Sequence, residues 1–289
     1  MSRFPDFLIV GAPKCGTTSL FHYLGEHPQI YTPPEKEPHF YSYVKEERPH
    51  WGIEEAENYT SLFQEANPEQ LCVEASTWYL YSDTAAEQIR RFAPDTKCIA
   101  LLRQPVDRAY SAWSFQVQHG WETLSFEQAI AAEERRIENG KGWDFHYLDT
   151  GLYSDQVRRF YNQLGRDQVR VCLFDDFQDD TDAVVQDVLS FLGLDPTGAS
   201  DTETIHNPTR LLRSQVLNHV LGASSLRQVA RQILPESVRS VLREKIQQLN
   251  EKPRSPLDPS FRKTLTERIW PDIERLEHLI GADLSRWGA

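Results

Sequence analysis

Phe7-Leu8-Ile9-Val10-Gly11-Ala12-Pro13-Lys14-Cys15-Gly16-Thr17-Thr18-Ser19-Leu20 is the stretch on which the fold turns. Four apolar residues, a loop bounded by two glycines and an apolar-periodic run to Leu24 read as strand, turn and helix. Such a loop turns successive backbone N–H groups inward, and the helix start adds partial positive charge, so together they cradle an anion. A nucleoside-triphosphate loop, G-x-x-x-x-G-K-[ST], carries its lysine directly after the second glycine. Here Gly11 and Gly16 keep the spacing, but Thr17 holds the lysine position and Lys14 lies inside the loop. A triphosphate site needs that lysine on its terminal phosphates together with Mg²⁺. The displaced lysine therefore argues against ATP or GTP.

Working outward, Phe7–Val10, Leu71–Glu74, Cys98–Leu102 and Val169–Phe174 are short apolar runs expected to be buried strands. Helical patterns alternate with them at Thr18–Glu26, Thr84–Phe92, Val106–His119, Phe126–Asn139, Asp155–Leu164 and Asp182–Leu192. That alternation predicts an α/β fold, a P-loop-like parallel sheet flanked by helices. Gly193 is placed to end a helix, and from about Asn207 the pattern is helical, with breaks at Pro235 and Lys252–Pro259. No repeat or long linker divides the chain, so residues 1–289 are expected to form a single domain with a helical C-terminal part.

The 289 residues carry 39% hydrophobic and 26% charged side chains, ordinary for a folded chain with a real core. A net charge of −12 argues against nucleic acid as a partner, because no global positive field attracts phosphates. Cys15, Cys72, Cys98 and Cys172 form no C-x-x-C pair, and three of them sit in apolar runs where a reduced thiol acts as a small hydrophobe. No run reaches the length of a membrane span, and Met1–Asp6 lacks the apolar core of a signal peptide. These features read as cytoplasmic.

Gly11–Leu20 resembles the 5′-phosphosulfate loop of sulfotransferases that use 3′-phosphoadenosine 5′-phosphosulfate (PAPS), closest to the heparan sulfate branch and its bacterial relatives. Three more segments match in the family's order: Lys36-Glu37-Pro38-His39-Phe40-Tyr41, Val73-Glu74-Ala75-Ser76-Thr77-Trp78-Tyr79, and Cys98–Ser111. The likeness spans roughly residues 7–215. It implies PAPS as donor, 3′-phosphoadenosine 5′-phosphate (PAP) as product, no metal requirement, and a saccharide, lipid or small-molecule acceptor. Oligomeric state is left open.

By that resemblance Pro13, Lys14, Cys15, Gly16, Thr17, Thr18 and Ser19 bind the 5′ end, and Arg103 with Ser111 binds the 3′-phosphate. Arg210 and Arg213, in the late loop Ile205–Ser214, are expected to close over the 3′-phosphate. The residues themselves agree at one point: a strand-end Arg103 suits a phosphate monoester and leaves a metal without its carboxylate. An ion pair with Asp107 is the other reading of Arg103. Lys14 is expected to stabilise the leaving 5′-phosphate. Gly11, Glu74 and Arg103 each follow a predicted strand, and ligands of open parallel sheets bind outside the strands' carboxyl ends. Glu74 is therefore expected as the base, as the resemblance also implies, or else as a structural partner of Lys14 or Lys36. His39 is the competing base, and Lys36, His39 and Trp78 are expected at the acceptor. An ATP- or GTP-dependent small-molecule kinase and a noncatalytic nucleotide- or glycan-binding P-loop protein are the alternative functions.

Overall fold

The computed structural model describes residues 3–42, 52–196, 211–212, 251–252 and 256–288. These fall into two compact units. One comprises residues 1–108, 148–207 and 260–289, and the other residues 109–147 and 208–259.

The first unit is built on a parallel sheet. Its strands are β1 (Phe7–Gly11), β2 (Ile30–Tyr31), β3 (Leu71–Ala75), β4 (Lys97–Leu102) and β5 (Val169–Leu173), in the order β2-β3-β1-β4-β5. β1 lies in the middle, with Phe7 opposite Val73 on one side and Lys97 on the other. Every residue of β1 is buried, as a strand covered on both faces requires. Because the strands run in parallel, the ends of β1, β3 and β4 bring Gly11, Glu74–Ala75 and Leu102–Arg103 to one edge. The helices of this unit are α1 (Thr17–Gly25), α2 (Ala56–Ser61), α3 (Ala85–Phe92), α6 (Tyr153–Leu164), α7 (Phe174–Asp179), α8 (Thr181–Leu192) and α9 (Pro259–Ile280). Gly193 ends α8 at φ +83°, the left-handed conformation that favours glycine.

α9 is fastened to the end of β4. Gln104 donates to Thr266 Oγ1 and to the Trp287 carbonyl, both at 3.2 Å, and accepts from the Asp107 N–H at 2.8 Å. Asp107 is paired with Arg262 at 3.2 Å rather than with Arg103. Ser154 and Arg275 both donate to Asp272.

Helix α4 (Pro105–Gln118) has its first four residues in the first unit and the rest in the second, where α5 (Phe126–Glu138) follows it in the chain. A reciprocal cap between Ser125 and Gln128 starts α5. Glu122 accepts from Arg136 at 2.6 Å and from Tyr147 at 3.0 Å, a buried network in which each charge finds a partner. Leu211–Leu212 pairs antiparallel with Glu251–Lys252.

The predicted strands and helices are present, with ends shifted by one or two residues. β2, α2 and α7 were not anticipated, because two to six residues are too few to show a period. The run taken as a strand to Phe174 ends at Leu173, and Phe174 opens α7. Most of the region expected to be helical from 207, and with it Arg210 and Arg213, lies outside the described residues. Among the described residues, no helix is long and apolar enough to cross a membrane.

Candidate active site

The loop leaves β1 through Gly11, where a Cβ would stand 2.8 Å from the Thr77 carbonyl oxygen and from Leu80 Cβ. Lys14 adopts φ +71° and Gly16 φ +87°, so the backbone coils back before α1 begins. A side chain at Gly16 would also meet the Phe174 ring at 2.9 Å. Gly16 provides no side-chain cap, and α1 carries no acidic residue in its first turn. Neither the cap nor the first turn thus neutralises its positive end, an arrangement that suits an anion. Pro13, Cys15, Thr17 and Ser19 are buried, whereas Lys14, Gly16 and Thr18 are half-buried.

Cations gather here. Arg103 donates to the Lys14 carbonyl at 3.4 Å, and its guanidinium lies over the Phe174 ring, 4.8 Å from the centroid. Tyr153 donates to the Arg103 carbonyl at 3.1 Å and lies 3.7 Å from Cys15 Sγ. Burial, then the charges of Arg103 and Arg108, push the Lys14 ammonium down to about 8, with Glu37 opposing them. Crowded cations of this kind favour an anionic ligand. Ser111 is buried on α4.

A second chain segment meets the loop. Lys36 Nζ donates to Thr18 Oγ1 at 3.2 Å and to Glu37 Oε1 at 3.0 Å. The other carboxylate oxygen of Glu37 lies 3.3 Å from His39 Nε2. Burial acts to raise the Glu37 carboxyl, but the His39 hydrogen bond and the Lys36 charge outweigh it and hold the group at about 2. The Glu37 side chain keeps 33% of its surface exposed, while His39 is fully buried.

Glu74 has a different setting. It is 1% exposed, and its Oε2 accepts from Tyr79 at 2.7 Å and from Tyr59 at 3.0 Å. Among the described residues its Oε1 is buried with no partner in hydrogen-bonding geometry. Burial pushes the carboxyl up to about 7 against the hydroxyls of Ser76, Tyr79 and Tyr59. The expected role as base requires this carboxyl to reach the proton it removes, and here Tyr59 and Tyr79 close around it. Lys36 pairs with Glu37 rather than with Glu74. Trp78 is also buried, at 8%, with its edge to Tyr81.

The Glu74 carboxyl should leave a signature in stability. Between about pH 4.5 and 7 the folded state keeps a proton that the unfolded chain releases, so stability falls as pH rises through that window. At 1.36 kcal/mol per unit the loss is about 3 kcal/mol. Denaturant unfolding should therefore show Glu74→Gln gaining about that much on the wild type between pH 4 and pH 8. An equal pH dependence in the two proteins would contradict the enclosed carboxyl.

Sequence reading missed Glu37, Tyr153 and Phe174. Glu37 lies within the Lys36–Tyr41 segment, and its neighbours Lys36 and His39 are the signal that points to it. Phe174 reaches Gly16 and Arg103 only through the fold.

A family model described as a sulfotransferase domain matches residues 4–216. A crystal structure of a sulfotransferase from Alicyclobacillus acidocaldarius superposes with a TM-score of 0.78 at 33% identity, covering 99% of this chain and 100% of that one. Human bifunctional heparan sulfate N-deacetylase/N-sulfotransferase 3 is 27% identical over 199 residues, 67% of this chain and 23% of the relative. Human heparan sulfate glucosamine 3-O-sulfotransferase 6 is 35% identical over 112 residues, 39% of this chain and 30% of the relative. The chain thus spans under a third of the length of these two human relatives. With an uncapped anion loop on β1, a cation at the end of β4 and a match over most of its length, the chain belongs to the sulfotransferase domain family.

Proposed function

We propose that the protein transfers the sulfuryl group of PAPS to a hydroxyl or amine of a saccharide, lipid or small-molecule acceptor, with Glu37 as the base. The observation that carries this reading is Lys36, which bridges Thr18 on the phosphosulfate loop and the Glu37 carboxylate. One cation thus joins the expected donor site to an accessible proton acceptor. In the reaction an acceptor O–H or N–H gives its proton to Glu37 as the new bond to sulfur forms. The sulfur–oxygen bond to the 5′-phosphate breaks in line, and that phosphate takes the electron pair. Lys14 and the N–H groups at the start of α1 stabilise its charge in this reading. His39 contacts Glu37 and fits the role of orienting it, while Arg103 and Ser111 are proposed for the 3′-phosphate.

Glu37 and Glu74 divide the two requirements of a base. A carboxyl near 7 is better matched to proton transfer at neutral pH, which favours Glu74. Access decides first, however, and it favours Glu37. Residues 1–289 are proposed to act as one sulfotransferase domain. Four buried thiols suit a reducing, cytoplasmic setting.

Two measurements test the reading. A labelled-sulfate screen from PAPS across sugars, lipids and carrier-bound hydroxyacyl groups should find an acceptor. Phosphate transfer from ATP with Mg²⁺, and none of sulfate, would overturn the reading. Arg103→Ala should weaken PAP by about 10- to 100-fold, the worth of a hydrogen bond to a charged group. Adenosine 5′-phosphate should be affected much less, and equal losses would remove Arg103 from the 3′-phosphate.

A further inference from the structure

Glu37 and His39 are non-glycine residues at φ +62° and +55°, a left-handed conformation that side chains disfavour. Such a segment persists only where its surroundings over-determine it. The surroundings here are the turn that follows β3. The Glu37 N–H donates to the Ala75 carbonyl at 3.1 Å and the His39 N–H to Ser76 Oγ at 2.9 Å. The Tyr41 N–H donates to the Tyr79 hydroxyl at 3.4 Å. Alternate N–H groups of 37–41 are therefore taken by residues 75–79, two of the three through side-chain hydroxyls.

The Tyr79 hydroxyl in turn donates to Glu74 Oε2, and its ring stands edge-on to His39 at 6.2 Å. Tyr59 shares the same carboxylate oxygen, and its ring stacks on Phe40 at 4.3 Å and 11°. Every contact thus runs from the enclosed carboxylate toward the strained segment. We infer that Glu74, Ser76 and Tyr79 are positioning residues that hold Lys36–Tyr41 in the conformation that presents Glu37 to the site with His39 packed against it. The inference rests on the reading of Glu37 as base. It explains why a glutamate with no access to an acceptor ends β3 inside a ring of tyrosines. The groups facing Glu74 are Tyr59 from α2, Tyr41 from the segment itself, Ser76 and Tyr79 from its own turn, and Cys98 from β4, with Glu37 acting as a like charge.

The test is the titration of the His39 imidazole by side-chain ¹⁵N NMR in the full chain, with His39→Asn assigning the signal. Glu37→Gln gives the midpoint of the uncoupled ring. Ser76→Ala and Tyr79→Phe should each move the wild-type midpoint toward that value. Both should lower turnover with the screened acceptor by about 10- to 100-fold, with PAP affinity within about twofold of wild type. Ser76→Thr, which keeps the hydroxyl, should restore both readouts. If Ser76→Ala and Tyr79→Phe keep the wild-type midpoint and rate while Glu37→Gln changes both, the inference is wrong and the base reading stands. If Glu37→Gln changes neither, the base reading fails and the inference falls with it. Loss of PAP binding in Ser76→Ala would mark a general structural lesion and equally overturn the positioning role.

Discussion

Glu37→Gln is expected to lower the rate of sulfuryl transfer by about 10² to 10⁴, the usual worth of a positioned base. Glutamine keeps the size of the side chain and an acceptor oxygen for His39 and Lys36, so PAP affinity should change little. The loss should appear in kcat as well as in kcat/KM, because proton removal belongs to the transition state. Since the Glu37 carboxyl is held at about 2, it stays ionised at every working pH, and no acid limb above about pH 4 should arise from it. An acid limb near pH 7 would instead report Glu74, whose protonation weakens its hold on Tyr59 and Tyr79. Glu74→Gln should remove that limb and remain within about tenfold of the wild-type rate. If Glu74→Gln takes the larger loss and Glu37→Gln is nearly silent, the two roles are reversed.

Lys14→Ala is the second large effect, expected to cost about 10² to 10³ in transfer, as for loss of one preorganised charge donor. Burial, Arg103 and Arg108 hold the free ammonium at about 8. Raising pH through that value neutralises it, so kcat/KM should fall above about pH 8 in the wild type. Lys14→Ala should lack this limb, because nothing is left at that position to titrate. PAP binding, measured by calorimetry, should show the same pH dependence in the wild type and lose it in the variant. A basic limb that survives the substitution would assign it to another group.

Much of this site was legible in the sequence. Gly11, Lys14 and Gly16 announced an anion loop through spacing alone, because backbone geometry at glycine and the charge of a helix start are local properties. Arg103 stood out because it follows an apolar run. The motif at Lys36–Tyr41 is visible in the sequence, yet which carboxylate keeps exposed surface is not. Glu37 lies in an irregular segment whose conformation is held by Ala75, Ser76 and Tyr79, about forty residues away. Glu74 looked like the base because a strand end normally opens to the crevice. Two tyrosines from other parts of the chain close around it, and no pattern along β3 announces them.

By itself the sequence determined the parallel α/β architecture, a glycine-bounded loop of anion-binding type and the cation at the end of β4. These follow from periodicity, glycine placement and residue charge, which act over a few residues. Only the tertiary structure decided which glutamate is enclosed and which keeps exposed surface. Burial and hydrogen bonding move their carboxyls to about 7 and about 2, and those forces depend on neighbours that folding brings together.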